Sequence, residues 1–525
     1  MSTYLGKDFP KPSLALVRSA DFGNVTLLPR AYDFRSSEIP VTTTRRIVRP
    51  GGARMYEGAQ SSRLTADLTV SITSANAEIF VSAIALRSRL RKLERDDDYF
   101  RQMLWLLENN VIGEGGIRLR MKARDDDGKL DRQANALIEA AWEDYLSEPN
   151  CAVTRNRSGV ELQRLAMRAL ARDGVILFRR HRGFDNPYGY AVEVIEADRL
   201  DHWWNRPAVS TANEIQFGVE MDRFAAPLAY WILTRHPGDI FAWRGGPKYR
   251  ERIPADEIIP LWVIERAGQN IGTPLWPSIV TRLNQLHRYE QAEETAATLG
   301  AMRMGVIEKE HPTDYAGPVS ESGQAQKDME PGLIYDALQP GETYKDVPVS
   351  HPSDVFAPFL KQGLRGAAAG AHLPYASVAS DLSEINYSSF KAGMNEARDG
   401  FKYLQRLVMQ KLMRPWFRDW LFYAMLKGKI PLPMTKFEKF VTADRWKPRR
   451  WAGLEPLKET QSAVLAIQNG LDSRRNIIEE DFDRDIEDVF DEQEHDAELA
   501  KEHGLIFAAP APPQPVEVTN PTEAA

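Results

Sequence analysis

The sequence predicts an α+β protein built from several parts. Long segments with apolar residues at every third or fourth position, typical of helices, flank residues 188–265, where short period-two runs are separated by Asp, Pro and Gly. The chain of 525 residues is too long for one ordinary hydrophobic core, and its length suggests about three domains. We therefore expect long helices around a β-rich half of one domain.

Residues 1–60 mix Pro, Gly, Arg and Thr without a period, which predicts an extended N-terminal arm. Helical spacing then predicts helices that begin near Thr73, Tyr99, Asp131 and Gly159. Ser74 or Asn76 can cap the first helix, and Gly113 can end the second. A strand is predicted at 174–180, directly after the last of these helices.

Period-two runs inside the β-rich segment predict further strands at 190–196, 215–221, 227–233 and 258–264. Thr273 as N-cap and Pro274 at the first helical position then predict a helix from Leu275 to Met304. At 1.5 Å per residue this helix would be about 45 Å long, more than one compact layer needs.

Residues 305–350 lose the helical period and gain Pro, Gly, Ser and Asp, which predicts a small β-rich module. A helix resumes at 354–370 and breaks at Leu373-Pro374. The next helix is predicted from Ser389 to about Lys427, with a bend at Pro415. An acid-rich helical part and a Pro-rich, disordered tail at 506–525 complete the chain.

Composition excludes several classes of protein. The net charge of −7 has the wrong sign for a protein that grips DNA electrostatically, although a repulsive wall would suit DNA that must slide. Cys151 is the only cysteine, so no intrachain disulfide is possible. The sequence contains no signal-peptide pattern and no run of about 18 apolar residues, and we expect a soluble protein assembled in a cytoplasm.

No motif predicts a cofactor, a metal or catalysis. Gly113-Glu-Gly-Gly116 follows a helix instead of a strand and lacks the Gly-Lys-Ser/Thr ending of a phosphate loop. Asp96–Asp98, Asp125–Asp127 and Asp481–Asp485 lack the glycine and closing glutamate of a calcium loop. The histidines show no metal-ligand spacing, and no nucleophile with its base is identifiable, so we do not expect an enzyme.

Two basic segments have alternative interpretations. Trp446-Lys-Pro-Arg-Arg-Trp451 has the chemistry of a single-strand stacking platform or phosphate clamp. The alternative is cation-to-ring packing at the start of the C-terminal part, and we favour it because nearby acids would neutralise the patch. Arg179-Arg-His-Arg182 is expected to form interface ion pairs.

One part of the sequence carries a family resemblance. An alanine-rich helix, a Leu-Pro-Tyr break, an Asn386-Tyr-Ser-Ser389 turn and a long helix follow one another, and this order resembles the lambda-type portal proteins of tailed bacteriophages. Weaker pieces in the same order extend the resemblance over residues 30–490. They include Met55-Tyr-Glu-Gly-Ala-Gln60, Asn109-Asn-Val-Ile-Gly-Glu-Gly115, Gly272-Thr-Pro-Leu275 and Leu338-Gln-Pro-Gly-Glu342.

The resemblance implies a portal fold with an α/β wing, a two-helix stem, a β-rich clip, a long helix after a channel loop, and a helical crown. It assigns the parts as arm 1–60, wing 61–270, stem helix 271–304, clip 305–350, returning stem helix 351–372, tunnel loop 373–388, long helix and wing return 389–443, crown 444–505 and tail 506–525. It also implies a homo-oligomeric ring of about twelve subunits.

In the family the break before the long helix projects into the channel, which implies contact of this loop with DNA. The residues in that place are Val378, Ser380, Asp381, Leu382, Ser383, Glu384, Ile385, Asn386, Tyr387 and Ser388. The segment has two acids and no base, so contact with phosphates would be weak and sequence-blind. Alternatively, or in addition, Asn386-Tyr-Ser-Ser389 caps the next helix.

The implied function is a virion channel for packaging and ejection of double-stranded DNA, located at one capsid vertex and assembled in the host cytoplasm. The implied partners are the terminase large subunit, capsid and scaffold proteins, and head-completion or tail connector proteins, with no membrane. Terminase or an adaptor would meet the clip at Glu308, Lys309, Glu310, Asp314 and Asp328. The alternatives are a metal-dependent nucleic-acid-processing enzyme, or a portal from a prophage or gene-transfer particle.

Overall fold

A computed structural model describes Arg63, Leu68 and residues 71–239, 249–301, 306–309, 342–345, 355–383, 386–451, 455–481 and 486–505. The chain divides into two compact units, residues 1–72 and 73–525, and every helix and strand given below lies in the second unit. The predicted arm at 1–60 and tail at 506–525 lie outside the described residues.

The predicted α+β class is confirmed by a mixture of helices and antiparallel strands. The helices are α1 (Ala75–Asp96), α2 (Asp98–Val111), α3 (Arg132–Leu146), α4 (Gly159–Arg172), α5 (Val280–Ala301), α6 (Phe356–Ala371), α7 (Tyr375–Ala379), α8 (Tyr387–Val408), α9 (Arg414–Leu426), α10 (Phe437–Val441), α11 (Pro456–Gln468), α12 (Arg474–Asp481) and α13 (Ile486–Glu502). The strands are β1 (Arg118–Met121), β2 (Ile176–Arg182), β3 (Tyr190–Glu196), β4 (Glu214–Gln216), β5 (Val219–Met221), β6 (Pro227–Leu233), β7 (Arg250–Pro254), β8 (Ile258–Leu261), β9 (Val306–Lys309), β10 (Glu342–Lys345) and β11 (Asp444–Lys447).

Local capping explains why the first helices begin and end where the sequence predicts. The side chain of Ser74 accepts a hydrogen bond from the amide of Ala77 at the start of α1. Ser158 and Glu161 form a reciprocal capping box at the start of α4. Gly113, with a φ of 78°, follows the end of α2 in the left-handed region that glycine tolerates.

The strands form antiparallel sheets. One sheet has the order β3–β2–β8, and a second has the order β4–β5–β6–β7. β9 pairs with β10, and β1 pairs with β11. Because β11 begins at Asp444 and pairs with β1, the first residues of the predicted crown are joined to a strand of the predicted wing, and the helical C-terminal part begins at Pro456.

Two strand predictions are corrected. The single strand predicted at 215–221 is a hairpin, because Phe217 and Gly218 have φ values of 54° and 76° and form a tight turn between β4 and β5. A Cβ on Gly218 would lie 3.0 Å from the carbonyl oxygens of Asp201 and Trp231. Strand β7 was not predicted, because its Arg-Glu-Arg sequence lacks apolar alternation and lies at the edge of the sheet.

Two prolines also make the helices differ from those that the sequence predicts. The helix predicted from Leu275 starts instead with a 3₁₀ turn at Pro277–Ile279, because Pro277 holds Trp276 in a non-helical conformation. The bend predicted at Pro415 is a π-helical turn at Met409–Met413 between α8 and α9. The missing amide of Pro415 removes one regular helical hydrogen bond, and the wider turn accommodates that loss.

The largest hydrophobic core joins α2, α3, α4, α8, α9 and β2. Its centre is aromatic: the ring of Trp142 in α3 lies 4.9 Å from that of Trp420 and 5.9 Å from that of Trp416, both in α9. The indole Nε1 of Trp416 donates to the hydroxyl of Tyr145 over 3.0 Å. A second core packs α1 against the β4–β7 sheet.

A buried ion cluster fixes α1 on this frame. The Nε of Arg87, whose residue is 2 % exposed, donates to the carbonyl of Asp173 over 2.9 Å, and its Nη1 lies 3.7 Å from Asp198. Arg91 bonds the carboxylates of both Asp173 and Asp198. Burial alone would raise the pKa of Asp198, but the charge and hydrogen bond of Arg91 outweigh it and lower that pKa.

Replacing Asp198 by Ala should destabilise the protein by about 3–5 kcal/mol at neutral pH, because the buried guanidinium of Arg87 loses its nearest carboxylate. Since folding lowers the pKa of Asp198, its carboxylate stabilises the fold above the unfolded pKa of about 4. The difference from the parent should therefore shrink as the pH falls through the lowered pKa. Urea unfolding over a pH series measures both effects.

Asp399→Ala is the matched control. It removes an Asp from an ion pair with Lys402 whose two side chains are 79 % and 55 % exposed, so the loss should stay below about 1 kcal/mol. Equal destabilisation by the two variants would contradict a structural role for the buried cluster.

Candidate functional site

The predicted break between α6 and α8 is confirmed as a short helical connection. His372 adopts the left-handed conformation, with a φ of 55°, and closes α6, while the amide of Leu373 donates to the carbonyl of Ala368 over 3.0 Å. Pro374 then precedes α7, because a proline cannot continue the preceding helix. Ser380, with a φ of 52°, ends α7 in the same left-handed way.

Asp381 holds the turn that follows α7. Its Oδ1 accepts hydrogen bonds from the amide of Ser383 over 3.0 Å and from the hydroxyl of Ser383 over 2.5 Å. Its Oδ2 accepts from the hydroxyl of Tyr375 over 3.0 Å and lies 3.9 Å from the ammonium of Lys361. The Ser383 hydroxyl, the Ser383 amide and Tyr375 together lower the pKa of Asp381 to about 2. The turn therefore keeps a negative charge at neutral pH.

One face of the connection packs against the protein. Val378 is 2 % exposed and belongs to the main core, and Ala376 is buried beside it. The Nε2 of Gln102 in α2 donates to the carbonyl of Ser377 over 3.2 Å. The expectation that Val378 contacts DNA is therefore wrong, because the face of α7 that carries this side chain packs into the main core.

The opposite face is exposed. Ser380, Leu382, Ser383 and Asn386 lie on it, and the side chain of Leu382 is 68 % exposed. The Oδ1 of Asn386 accepts from the amide of Ser389 over 2.8 Å, which confirms its predicted capping role. Glu384 and Ile385, and the side chains of Tyr387 and Ser388, lie outside the described part of the chain.

Sequence analysis identified the exposed residues of this connection but not the side chains elsewhere in the chain that hold it in place. Lys361 and Gln102 come from α6 and α2, and no local pattern relates them to the loop. Tyr375 is part of the Leu-Pro-Tyr motif, yet its bond to Asp381 requires the intervening turn of α7. The sequence offers one signal for this hydrogen bond: the polar side chain of Tyr375 precedes Asp381 by about one and a half helical turns.

In the predicted clip, β9 and β10 form an antiparallel pair with Glu308 opposite Thr343 and Lys309 opposite Glu342. The chain therefore reverses direction between β9 and β10. Glu310, Asp314 and Asp328, and the side chains of Glu308 and Lys309, lie outside the described residues.

The Trp446–Trp451 segment is packed, as the favoured interpretation predicted. The ring of Trp446 lies 5.9 Å from that of Trp142, and the indole of Trp451 donates to the Oδ1 of Asn110 over 2.7 Å. The guanidinium of Arg449 bonds the carbonyl of Asn109 at the end of α2. Since its rings are engaged within the chain, the segment is not a stacking platform for bases.

The Arg179–Arg182 segment forms ion pairs inside the chain. Arg179 bonds Glu251 over 2.9 Å, and the guanidinium groups of Arg180 and Arg182 each lie 3.2 Å from Asp419 in α9. These pairs connect β2 to α9 and to the edge of the neighbouring sheet. The expected ion pairs are present, but within one chain.

Other chemistry is limited within the described residues. No group of His, Cys, Asp and Glu side chains in these ranges could hold a metal ion. Burial raises the pKa of Cys151 to about 12, so its thiol is protonated and poorly nucleophilic. Among the described helices, none combines the length and the apolar character that crossing a bilayer demands.

Comparison with known proteins gives consistent relatives. The model of the lambda family of phage portal proteins matches residues 61–405. The probable portal protein of Halomonas phage phiHAP-1 is 30% identical over 466 residues, covering 87% of this chain and 88% of that protein. Portal protein B of Escherichia phage lambda is 21% identical over 472 residues, covering 82% of this chain and 87% of that protein.

The solved structures that align with this chain are more distant. A chain in the neck of an empty GTA particle aligns with a TM-score of 0.42 and 14% identity, covering 74% of this chain and 91% of that chain. The assignment therefore rests on the family model and on the relative from phage phiHAP-1. On that evidence, the chain belongs to the lambda family of phage portal proteins.

Proposed function

We propose that this chain forms a ring of about twelve subunits at one vertex of a capsid, and that double-stranded DNA enters and leaves through the ring. The ring forms in the host cytoplasm and remains in the virion. The family match supports this proposal, and so does the connection between α6 and α8. In this proposal that connection is the tunnel loop.

The observation that most supports the proposal is the set of side chains on the exposed face of the tunnel loop. Ser380, Leu382, Ser383 and Asn386 present hydroxyl, amide and apolar groups, and Asp381 adds a negative charge that the low pKa maintains. Phosphates bind cations, and such contacts give DNA binding its affinity. A surface that offers no cation to the phosphates would let DNA slide with little friction.

The hydrogen bonds that hold the described residues 373–383 of the loop support the same role. One carboxylate oxygen of Asp381 accepts hydrogen bonds from Ser383, and the other accepts one from Tyr375. The side chain of Gln102 donates to the backbone of α7. A fixed loop keeps the width of a channel constant as DNA passes. A flexible loop with the same composition would lose conformational entropy at every contact.

The chain is proposed as a passive component, with a terminase motor supplying the energy for packaging. The β9–β10 clip is the proposed docking surface for the terminase large subunit and later for head-completion or tail connector proteins. Glu308 and Lys309 lie on that hairpin, and charged groups at a rim steer a partner and fix its orientation. Capsid and scaffold proteins would contact the outer surface of the ring.

Electron microscopy of the purified protein at high concentration should show end-on views of a ring with a central hole. The expected number of subunits is about twelve, because a closed cyclic interface fixes the number geometrically. Compact monomers that cleave DNA in the presence of a divalent metal would contradict the proposal and favour a nucleic-acid-processing enzyme.

Leu382→Lys should slow DNA passage, because every subunit of the ring would add one cation to the tunnel loop. Purified rings should bind double-stranded DNA about tenfold more tightly at low salt, and the gain should disappear as salt rises. The measurements are DNA affinity at two salt concentrations and the rate of an in vitro packaging reaction.

Leu382→Gln is the control, since it removes the same exposed apolar side chain without adding charge. It should leave DNA affinity and packaging rate close to those of the parent. If Leu382→Lys and Leu382→Gln behave alike in both assays, Leu382 does not face DNA.

Charge reversal by Glu308→Lys should weaken binding of the terminase large subunit by roughly one to two orders of magnitude, because a steering charge would become repulsive. Rings should still form, which electron microscopy checks. Glu494→Lys makes the same charge change on an exposed part of α13 and should leave terminase binding unchanged. Loss of rings with Glu308→Lys alone would assign this residue to subunit contacts instead.

A further inference from the structure

Two motifs that are far apart in the sequence line one cavity of about 560 Å³. The cavity lies at the end of α2, between the Gly113–Gly116 loop and the Lys447–Arg450 segment. The pairing of β1 with β11 brings the two motifs together, because Arg118 lies opposite Lys447 in that ladder. Neither motif predicts a binding site alone, and their combination is a property of the fold.

The loop supplies backbone donors. Gly113 and Gly116 have φ values of 78° and 70°. The amide of Gly113 donates to the carbonyl of Glu108, and the amide of Ile117 donates to the Oε1 of Gln163. Between these anchors, the amides of residues 114–116 make no hydrogen bond to any residue that the structure describes. Consecutive amides in a turn with left-handed residues form the concave nests that bind anions.

The side chains around the loop carry a positive excess. Arg118, Lys447, Arg449 and Arg450 line the cavity, and Glu114 is the only acid among its lining residues within the described ranges. Burial and the like charge of Arg398 lower the pKa of Arg449. Like charges gathered around a concave surface with open amides would be stabilised by an anion.

Arg118 is the cation best placed to bind a ligand. Its side chain makes no hydrogen bond or ion pair with any residue in the described part of the chain. A Cβ on Gly115 would lie 2.6 Å from the Nη2 of Arg118, so the guanidinium lies directly against the loop. Glycine at this position therefore permits the close approach of the cation to the backbone amides.

We propose that this cavity binds a phosphate group. Backbone amides on one side and several cations on the other surround a tetrahedral dianion better than a flat carboxylate, which one guanidinium can satisfy in two hydrogen bonds. The cavity is larger than a phosphate, and Trp105 lines it with its side chain 52 % exposed, which leaves room for the rest of the ligand. The phosphate belongs either to a nucleic-acid backbone or to a small free phosphate compound.

The test is titration of the purified full-length protein with inorganic phosphate and pyrophosphate, followed by tryptophan fluorescence and calorimetry. Fluorescence should respond because Trp105 lines the cavity. Arg118→Gln should raise the Kd for pyrophosphate by about tenfold or more, since it removes charge-assisted hydrogen bonds. Gly115→Ala keeps every charge, displaces the guanidinium of Arg118, and should raise the Kd in the same direction.

Arg101→Gln is the matched control, because Arg101 is exposed on α2 but does not line the cavity. It should leave the Kd unchanged, as should Leu382→Gln, which adds no charge to the tunnel loop. This last comparison separates the cavity from the channel proposal, since either can fail without the other.

Short single-stranded and double-stranded oligonucleotides distinguish the two sources of phosphate. Binding of an oligonucleotide that Arg118→Gln weakens would assign the site to nucleic acid, and sensitivity limited to pyrophosphate would assign it to a small phosphate compound. The proposal is overturned if the parent protein binds neither phosphate nor pyrophosphate. It is also overturned if Arg118→Gln and Gly115→Ala bind them as the parent does, or if only a carboxylate-rich peptide binds.

Discussion

The packing of α9 against α3 is the constraint on which the rest of the fold depends. Trp416, Phe417 and Trp420 are almost fully buried, and their rings meet Trp142 and Tyr145 from a segment far earlier in the chain. Aromatic side chains bury more apolar area than any others, and edge-to-face pairs add to that stabilisation. The hydrogen bond from Trp416 to Tyr145 satisfies two polar atoms that would otherwise be costly in the core.

This contact determines where the tunnel loop lies. α9 continues through the π-helical turn at Met409–Met413 into α8, whose first residues adjoin the loop. Along α8, the Nε2 of Gln405 donates to carbonyls at the end of α2, including that of Asn110 over 3.3 Å. Because α2 also bonds α7 through Gln102, α7 and α8 are both held by the same helix.

Charge has different uses in different parts of the chain. Arginines of β2, α1 and α4 pair with acids of the same chain: Asp419 binds two guanidinium groups, and Asp198 and Asp173 bind three between them. These pairs position elements and leave little charge for a partner. The tunnel loop instead exposes Asp381, which keeps its negative charge, and the cavity beside α2 gathers cations around amides that make no hydrogen bond within the described residues. The small net charge of the whole chain is therefore the sum of surfaces whose local charges differ in sign.

The sequence by itself determined the local structure of most of the chain. Caps such as Ser74 and the box at Ser158, the break at Pro374 and the turn at Asn386 depend on neighbours within a few residues, so their pattern is sufficient. The same holds for the family resemblance, because its motifs are runs of adjacent residues.

Only the tertiary structure decided which faces are buried and which distant segments meet. The inward orientation of Val378 depends on α2 packing against α7. The cavity shared by Arg118 and Arg449 depends on the pairing of β1 with β11. The hairpin at Gly218 depends on where the backbone of Asp201 and Trp231 lies. Such features arise from contacts between residues far apart in the chain, and local spacing contains no information about those contacts.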